Sequence, residues 1–460
     1  MPRKAASPHP IPMPAERVAE HLAALVQCRT VAPRRGTQPD EPTRDAFARQ
    51  HALLREFYPH VFASGQAETL GNFGMLIRLP GAAASRPVVL MAHQDVVPVS
   101  ADWEAEGWPH APFAGVISDG RVWGRGTLDD KGSLVVLLEA LDSLLAEGWR
   151  PGQDLYVLLG ADEETYGTDA SDGAALLQSR GVEPYVVLDE GGAVAGQPFP
   201  GVTRDVAVIG VSEKGVMTVR LTVVHDGGHA STPPVPSAPG ILARALVAVE
   251  SHQMPARLHP VSIEMLRALG AQLPLPLRPL VAGAVRLGPA LVTALVKAGP
   301  ETAAIVRTTI APTQLEGSSG ANVLATRASA VLNIRVAVGQ SVSDVLSHLE
   351  KVIADDRVRI TVEEAYEPSP VSPRDARFEA ISAAVAASYP GAAVAPYIMM
   401  AASDGRHLAR ICPAVYRFSP LRMDKTQRGT VHGVGENVEV SSLVQGVAFY
   451  RALLTGALLG

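Results

Sequence analysis

The chain has only two cysteines, Cys28 and Cys412, in 460 residues. Two thiols make no disulfide framework, so the fold must rest on packed cores. No sign of charge dominates: 40 Lys and Arg against 46 Asp and Glu leave a net charge of −6. That balance removes the electrostatic case for a nucleic-acid partner. Long apolar runs are missing too. The most apolar stretch, Leu280 to Ala298, is interrupted by Arg286, Pro289 and Lys297, and does not read as a membrane span. Met1 to Pro14 is proline-rich, carries Arg3 and Lys4, and has no apolar core of about seven residues, so it does not read as a secretory leader. A cytoplasmic location is expected. There is also no Gly-x-Ser-x-Gly elbow, which argues against a serine hydrolase.

What the chain does have is 47% apolar residues, with 41 Gly and 37 Pro to make turns. This is the composition of a globular, loop-rich protein long enough for two or three domains. Helical periodicity covers Ala15 to Gln27 and Thr43 to Phe57. Short apolar strands then alternate with helices: Met75 to Leu79, Val88 to Ala92, the helix after Asp129-Asp130, Leu155 to Gly160, Asp172 to Ser179 and Tyr185 to Leu188. Alternation with fully apolar strands predicts an α/β fold, a mostly parallel sheet with helices on both faces. From about Lys214 the pattern shifts to half-buried strands and helices, predicting an inserted α+β layer. Its strands are Val216 to Val224, Ser329 to Val338 and Val358 to Glu363, and its helices Pro239 to Ser251 and Ser341 to Ala354. The expected division is 1–212 and 367–460 for the first domain and 213–366 for the insertion, with an extra helical segment near 254–307.

In open parallel sheets, ligands bind beyond the carboxyl ends of the strands. The predicted strand ends carry His93-Gln-Asp95, Asp162-Glu163-Glu164 and Asp189-Glu190, and the glycine-rich turn Gly124 to Gly132 carries Asp129 and Asp130. One aspartate would satisfy a helix N-terminus; two adjacent ones need further compensation. His432 stands in a late loop and His229 in a polar turn. Histidines with carboxylates and no cysteine suit zinc, cobalt or manganese. A His-x-Asp pair lets the histidine bind metal while the aspartate fixes its ring. More acids are present than one catalytic zinc needs, and a carboxylate bridging two metals about 3.5–4 Å apart accounts for the surplus. In Glu163-Glu164, one carboxylate binds metal and its neighbour takes a proton from the attacking water. The residues alone leave open which.

Six motifs in order carry a resemblance: Met91-Ala-His-Gln-Asp-Val-Val-Pro98, Gly124-Arg-Gly-Thr-Leu-Asp-Asp-Lys-Gly132, Asp162-Glu-Glu164, Val187-Leu-Asp-Glu-Gly-Gly192, Gly228-His-Ala-Ser231 and Val431-His-Gly433. They resemble the co-catalytic dizinc peptidases of the aminoacylase, carboxypeptidase G and carboxypeptidase S family. The resemblance is nearest the branch of carboxypeptidase S and the N-fatty-acyl-amino-acid hydrolases, which segment 254–307 and Val211-Ser-Glu-Lys-Gly215 also resemble. It implies two Zn²⁺ per chain (Co²⁺ or Mn²⁺ as alternatives) and an amide-cleaving enzyme acting on small peptides or N-acyl amino acids. His93 would bind one zinc, His432 the other, and Asp129 both. Glu164 would be a ligand, Glu163 the general base, and Asp95 the residue orienting His93 or its neighbourhood. Asp189 or Glu190 would complete the set. The insertion would be a lid that often forms a homodimer, with His229 polarising the scissile carbonyl, frequently in the partner's site. Asn322 and Arg406 would hold the substrate carboxylate. A non-catalytic binding protein of the same fold is the competing reading, but it has no need to keep Glu163 and a full ligand set.

Overall fold

The computed structural model describes residues 14–197, 202–273, 278, 283 and 286–459. The reading of the N-terminal leader falls on residues almost wholly outside this range, as does part of segment 254–307. Among the described residues, ten strands form one mixed sheet. Its order is Gln66–Leu70, Gly74–Leu79, Gln153–Gly160, Ala83–His93, Val186–Asp189, Val415–Arg417, Val206–Glu213, Val194–Ala195 and Arg422–Met423, with Ala393–Met399 paired to Val206–Glu213. The strands from Gln153–Gly160 to Val415–Arg417 run parallel, and the first three of them carry motif residues at their carboxyl ends.

The helix Lys131–Ala146 explains the depth of this region. Fourteen of its sixteen residues are buried, including Glu139 and Asp142. It lies between strand Ala83–His93 and the helices Ala15–Val26 and Val440–Leu454, so no face reaches solvent. The helix Glu41–Phe57 starts two residues before the expected Thr43, because Asp40 accepts the Thr43 N–H at 2.9 Å as an N-cap. Trp108 is buried, with the Arg125 guanidinium over its ring at 5.2 Å.

A second, antiparallel sheet has the order Thr309–Glu316, Arg327–Val336, Gly215–Val224 and Val358–Tyr366. Helices Ala238–Ser251 and Val342–Ile353 cover one face and close a separate core around Leu221, Leu332 and Leu349. Segment 254–307 contributes the helices Pro260–Gly270, Gly288–Ala298 and Pro300–Val306. Chain crossings between the two sheets run side by side, with Ser212 Oγ donating to Ser369 O at 2.7 Å and Ser369 N to Glu213 O at 3.2 Å. No helix of the described residues is long and apolar enough to cross a membrane.

Candidate metal centre and active site

His93 is the last residue of its strand and is buried. Its Nδ1 sits 3.0 Å from the Asp95 carbonyl oxygen, which fixes the ring and leaves Nε2 aimed at Asp129 Oδ1, 2.9 Å away. From the opposite side His432 Nε2 lies 3.1 Å from Asp129 Oδ2 and 3.0 Å from Glu164 Oε2. One carboxylate is therefore flanked by two imidazoles, one per oxygen. His93, Asp129 and Glu164 each offer a ligand atom within 4.8 Å of the others. His432 holds a left-handed backbone, φ 58°, which a non-glycine residue adopts only when its surroundings enforce it.

The residue that fixes both sides is Glu436. Its buried carboxylate accepts the N–H groups of Gly126 at 3.0 Å, Leu128 at 2.8 Å and Asp129 at 3.2 Å, and pairs with Arg125 at 2.6 Å. It lies four residues after His432, so one clamp sets the bridging aspartate and the second histidine together. Gly126 is required in that turn: φ is +88° and a Cβ would lie 2.6 Å from Val96 Cγ1. Glu436 escaped the sequence reading, where its only signal was an acid near His432.

Asp130 occupies the N-cap position of Lys131–Ala146 but makes no side-chain cap bond. The expected acidic cap is corrected: the Asp130 carboxylate turns back to accept the His93 N–H at 3.2 Å. Asp95 likewise serves backbone, accepting the N–H of Glu163 at 3.2 Å and of Glu164 at 3.1 Å. It thereby ties the acidic pair to the histidine strand. The Asp189-Glu190 pair divides by direction. Asp189 accepts the Gly405 N–H at 2.6 Å, while Glu190 lines the same cavity as Asp129, Glu163, Glu164 and His432, a space of about 330 Å³.

Arg406 lies behind Glu163. Its Nη1 is 3.9 Å from Glu163 Oε1 and donates to Ser403 O at 2.6 Å, while its buried Nε and Nη2 have no hydrogen-bond partner and Nη2 lies 3.7 Å from Asp404 Oδ1. The guanidinium stands over the rings of Tyr166 and Tyr366 at 5.5 and 5.3 Å. Arg335, not singled out from the sequence, reaches the Tyr166 hydroxyl at 3.3 Å and also keeps an unpartnered Nη1. Its signal was weak: an arginine on an alternating strand. His229 and Asn322 are brought together but outside the cavity. Gly228–His229 pairs with Val323–Leu324, Ala230 N donates to Asn322 O at 3.1 Å, and the exposed His229 ring contacts Ser231 Oγ at 2.7 Å.

Electrostatics follow from burial. Burial lifts the Glu163 carboxyl well above its ordinary value, with Asp404 and Glu164 adding repulsion. Glu190 is lifted likewise by burial and then by Asp129 and Asp189. Burial and the Asp129 charge raise Glu164. Burial also pulls His93 down, but the carboxylates of Asp129 and Asp95 outweigh it and leave the imidazole raised. His432 is raised to about 10, chiefly by its hydrogen bonds to Asp129 and Glu164. Several carboxylates crowded in low dielectric require positive charge among them. The donor set of two imidazoles and several carboxylates fits divalent ions such as zinc.

A strand-end cluster of this kind, with a histidine on each oxygen of one aspartate, defines a metallohydrolase site. The model of the Peptidase family M20/M25/M40 matches residues 89–456, and the chain belongs to this family, as an amide-bond hydrolase with a divalent-metal site. The human N-fatty-acyl-amino acid synthase/hydrolase PM20D1 is 34% identical, over 96% of this chain and 88% of that protein. The probable carboxypeptidase S-like 2 of Dictyostelium discoideum is 31% identical, over 95% of this chain and 84% of that one. Among solved structures, the M20 family metallo-carboxypeptidase Sso-CP2 from Sulfolobus solfataricus shares the fold, with a TM-score of 0.68 at 18% identity over 95% of this chain and 98% of that one.

Proposed function

We propose that the protein cleaves the amide bond of a small N-acyl amino acid or peptide that presents a free carboxylate, using two divalent ions, zinc by ligand chemistry. The observation that carries this is the Asp129 carboxylate, with His93 Nε2 at 2.9 Å from one oxygen and His432 Nε2 at 3.1 Å from the other. His93 would hold one ion, His432 the other, and Asp129 both, with Glu164 and Glu190 as remaining ligands. Glu190 is assigned over Asp189 because the latter's carboxylate is already engaged by Gly405 N. Bound there, the ions supply Lewis-acid polarisation of the amide carbonyl and acidify the attacking water.

The chain's own groups do the rest. Glu163, raised by burial and facing the cavity, accepts the proton of the attacking water and returns it to the leaving nitrogen. Arg406 and Arg335, with unpartnered guanidinium nitrogens, would take the substrate carboxylate and so orient the scissile bond. The relatives named for N-fatty-acyl amino acids and for carboxypeptidase activity support this substrate class. Residues 213–366 would form a lid that pairs with a second copy. The exposed His229, with Asn322 beside it, would then complete the partner's site by donating to the developing oxyanion. Elemental analysis of the reconstituted protein is expected to give two metals per chain. Glu164→Gln and Glu190→Gln should each lower that number. One metal or none in the wild type would overturn the dinuclear reading.

A further inference from the structure

Glu213 and Arg417 are both buried, far from water and outside the cavity. Arg417 grips the Glu213 carboxylate with two nitrogens, Nη2 to Oε1 at 3.0 Å and Nε to Oε2 at 3.1 Å, and its Nη1 donates to Val415 O at 3.0 Å. Strand register forces this close approach. Arg417 stands opposite Gly210, where a Cβ would lie 2.9 Å from the Arg417 Cβ. An ion pair out of water gives little net stability over an apolar pair of the same volume, so burying one needs another reason.

The reason is on the free side of the carboxylate. Glu213 Oε2 also accepts the Ser403 backbone N–H at 2.9 Å and the Ser403 hydroxyl at 3.2 Å. Ser403 in turn holds Arg406 through its carbonyl, which accepts from Nη1 at 2.6 Å. The chain of contacts thus runs from strand Val415–Arg417, through Glu213 and Ser403, to the guanidinium 3.9 Å from Glu163. Glu213 is moreover the last residue of its strand, one before Lys214 and the second sheet that begins at Gly215. A shift of that sheet would be felt at the same carboxylate.

We infer that Glu213, oriented by Arg417, is a positioning residue that sets Arg406 for the substrate carboxylate and ties its placement to the crossing into the second sheet. The inference rests on Arg406 being the carboxylate anchor. Such a residue controls which substrates are bound, not only how stable the fold is. Its signature is the preference for a substrate with a free carboxylate over the same substrate blocked as a carboxamide. Misplacing an anchoring group by about 1 Å can cost up to ~10²-fold.

The test uses the metal-loaded, full-length protein and compares kcat/KM for an N-acyl amino acid and its carboxamide. Glu213→Leu paired with Arg417→Met replaces the ion pair by apolar volume and leaves Ser403 N without its acceptor. It should reduce the preference at least tenfold, through KM of the free acid, with the carboxamide nearly unaffected. Glu213→Gln with Arg417 retained keeps both the oxygen acceptor for Ser403 N and the guanidinium that orients it, and should keep most of the preference. If the Leu/Met pair does not fold, Ser403→Ala reads the same ratio, with an expected loss of about threefold. Equal losses on acid and carboxamide would reduce Glu213 to a structural role and overturn the inference. Arg406→Met is the control. If it leaves the preference intact, the carboxylate anchor itself is misassigned and the inference falls with it. If Arg406→Met abolishes the preference while every Glu213 and Ser403 variant keeps it, only the inference fails.

Discussion

The ten-stranded sheet gathers carboxylates at its strand ends and buries them: Asp95, Glu163 and Asp189 all lie out of solvent within one region, with Asp130 of the neighbouring turn against His93. Apart from Arg335, the four-stranded sheet leaves its charges on an open face, where Arg220 pairs with Glu363 at 2.5 Å with side chains 24% and 37% exposed. Exposed pairs are worth about 0–1 kcal/mol, and losing one is close to neutral. Buried like charges cost far more unless something positive joins them. The first sheet thus buries its cluster of acids, while the second solvates most of its charges and lends Arg335 to the same region. Depth is the discriminator.

The sharpest way to break that contrast is at Glu163. Glu163→Gln keeps the shape but cannot accept a proton, so turnover should fall about 10²–10⁴-fold while metal content stays at the wild-type value. Retention of most activity would remove Glu163 from the reaction. His229 tests the contrast from the other side, because it is exposed and yet assigned to catalysis. His229→Ala should lower kcat by about 10²–10³ with metal unchanged. Mixed with Glu163→Gln chains, it should regain part of the activity if sites are shared between copies. An undiminished His229→Ala would make the residue an ordinary turn histidine.

A smaller effect is expected at Asp169, buried at the start of helix Asp169–Ser179 and accepting the Ala161 N–H at 3.1 Å. Burial, and then the Asp162 charge, raise its carboxyl to about 8. The folded protein therefore holds this proton more tightly than the unfolded chain, whose aspartate titrates near 4. Its contribution to stability is greatest below that value and is lost as pH rises toward 8. Asp169→Asn should flatten this part of the pH dependence of the urea midpoint; an unchanged slope between pH 5 and 9 would contradict it. Least of all should come from Arg220→Ala on the open sheet, within about 1 kcal/mol in stability and with no change in kcat.

The sequence was most legible where pattern and chemistry coincide. Apolar runs such as Val88 to Ala92 ending in His93-Gln-Asp95 announce both a buried strand and a site. Strands Ala393–Met399 and Thr309–Glu316 were not read, because each holds a proline, Pro396 and Pro312. Both are edge strands, and Thr309–Glu316 has a register shift beside Pro312, which is where a sheet tolerates a missing N–H. Val206–Glu213 was missed for another reason: its apolar run has no alternation and ends in charges that read as a loop. Glu436 and Arg417 were illegible in principle. Nothing local says that an isolated acid or arginine will be buried, since partners 307 and 204 positions away decide it.

The clamp made by Glu436 also sets a timetable for the protein's birth. Glu164 and its histidine partner are 268 residues apart. At roughly 5–20 residues per second, the ribosome needs about 13–54 s to bridge that interval. Throughout it, the turn at Asp129 is made but ungripped, and the acids beside it have neither His432 nor the Glu436 clamp. A metal centre of the proposed kind would therefore be completed only after His432 and Glu436 have been made, long after Glu164 has left the ribosome.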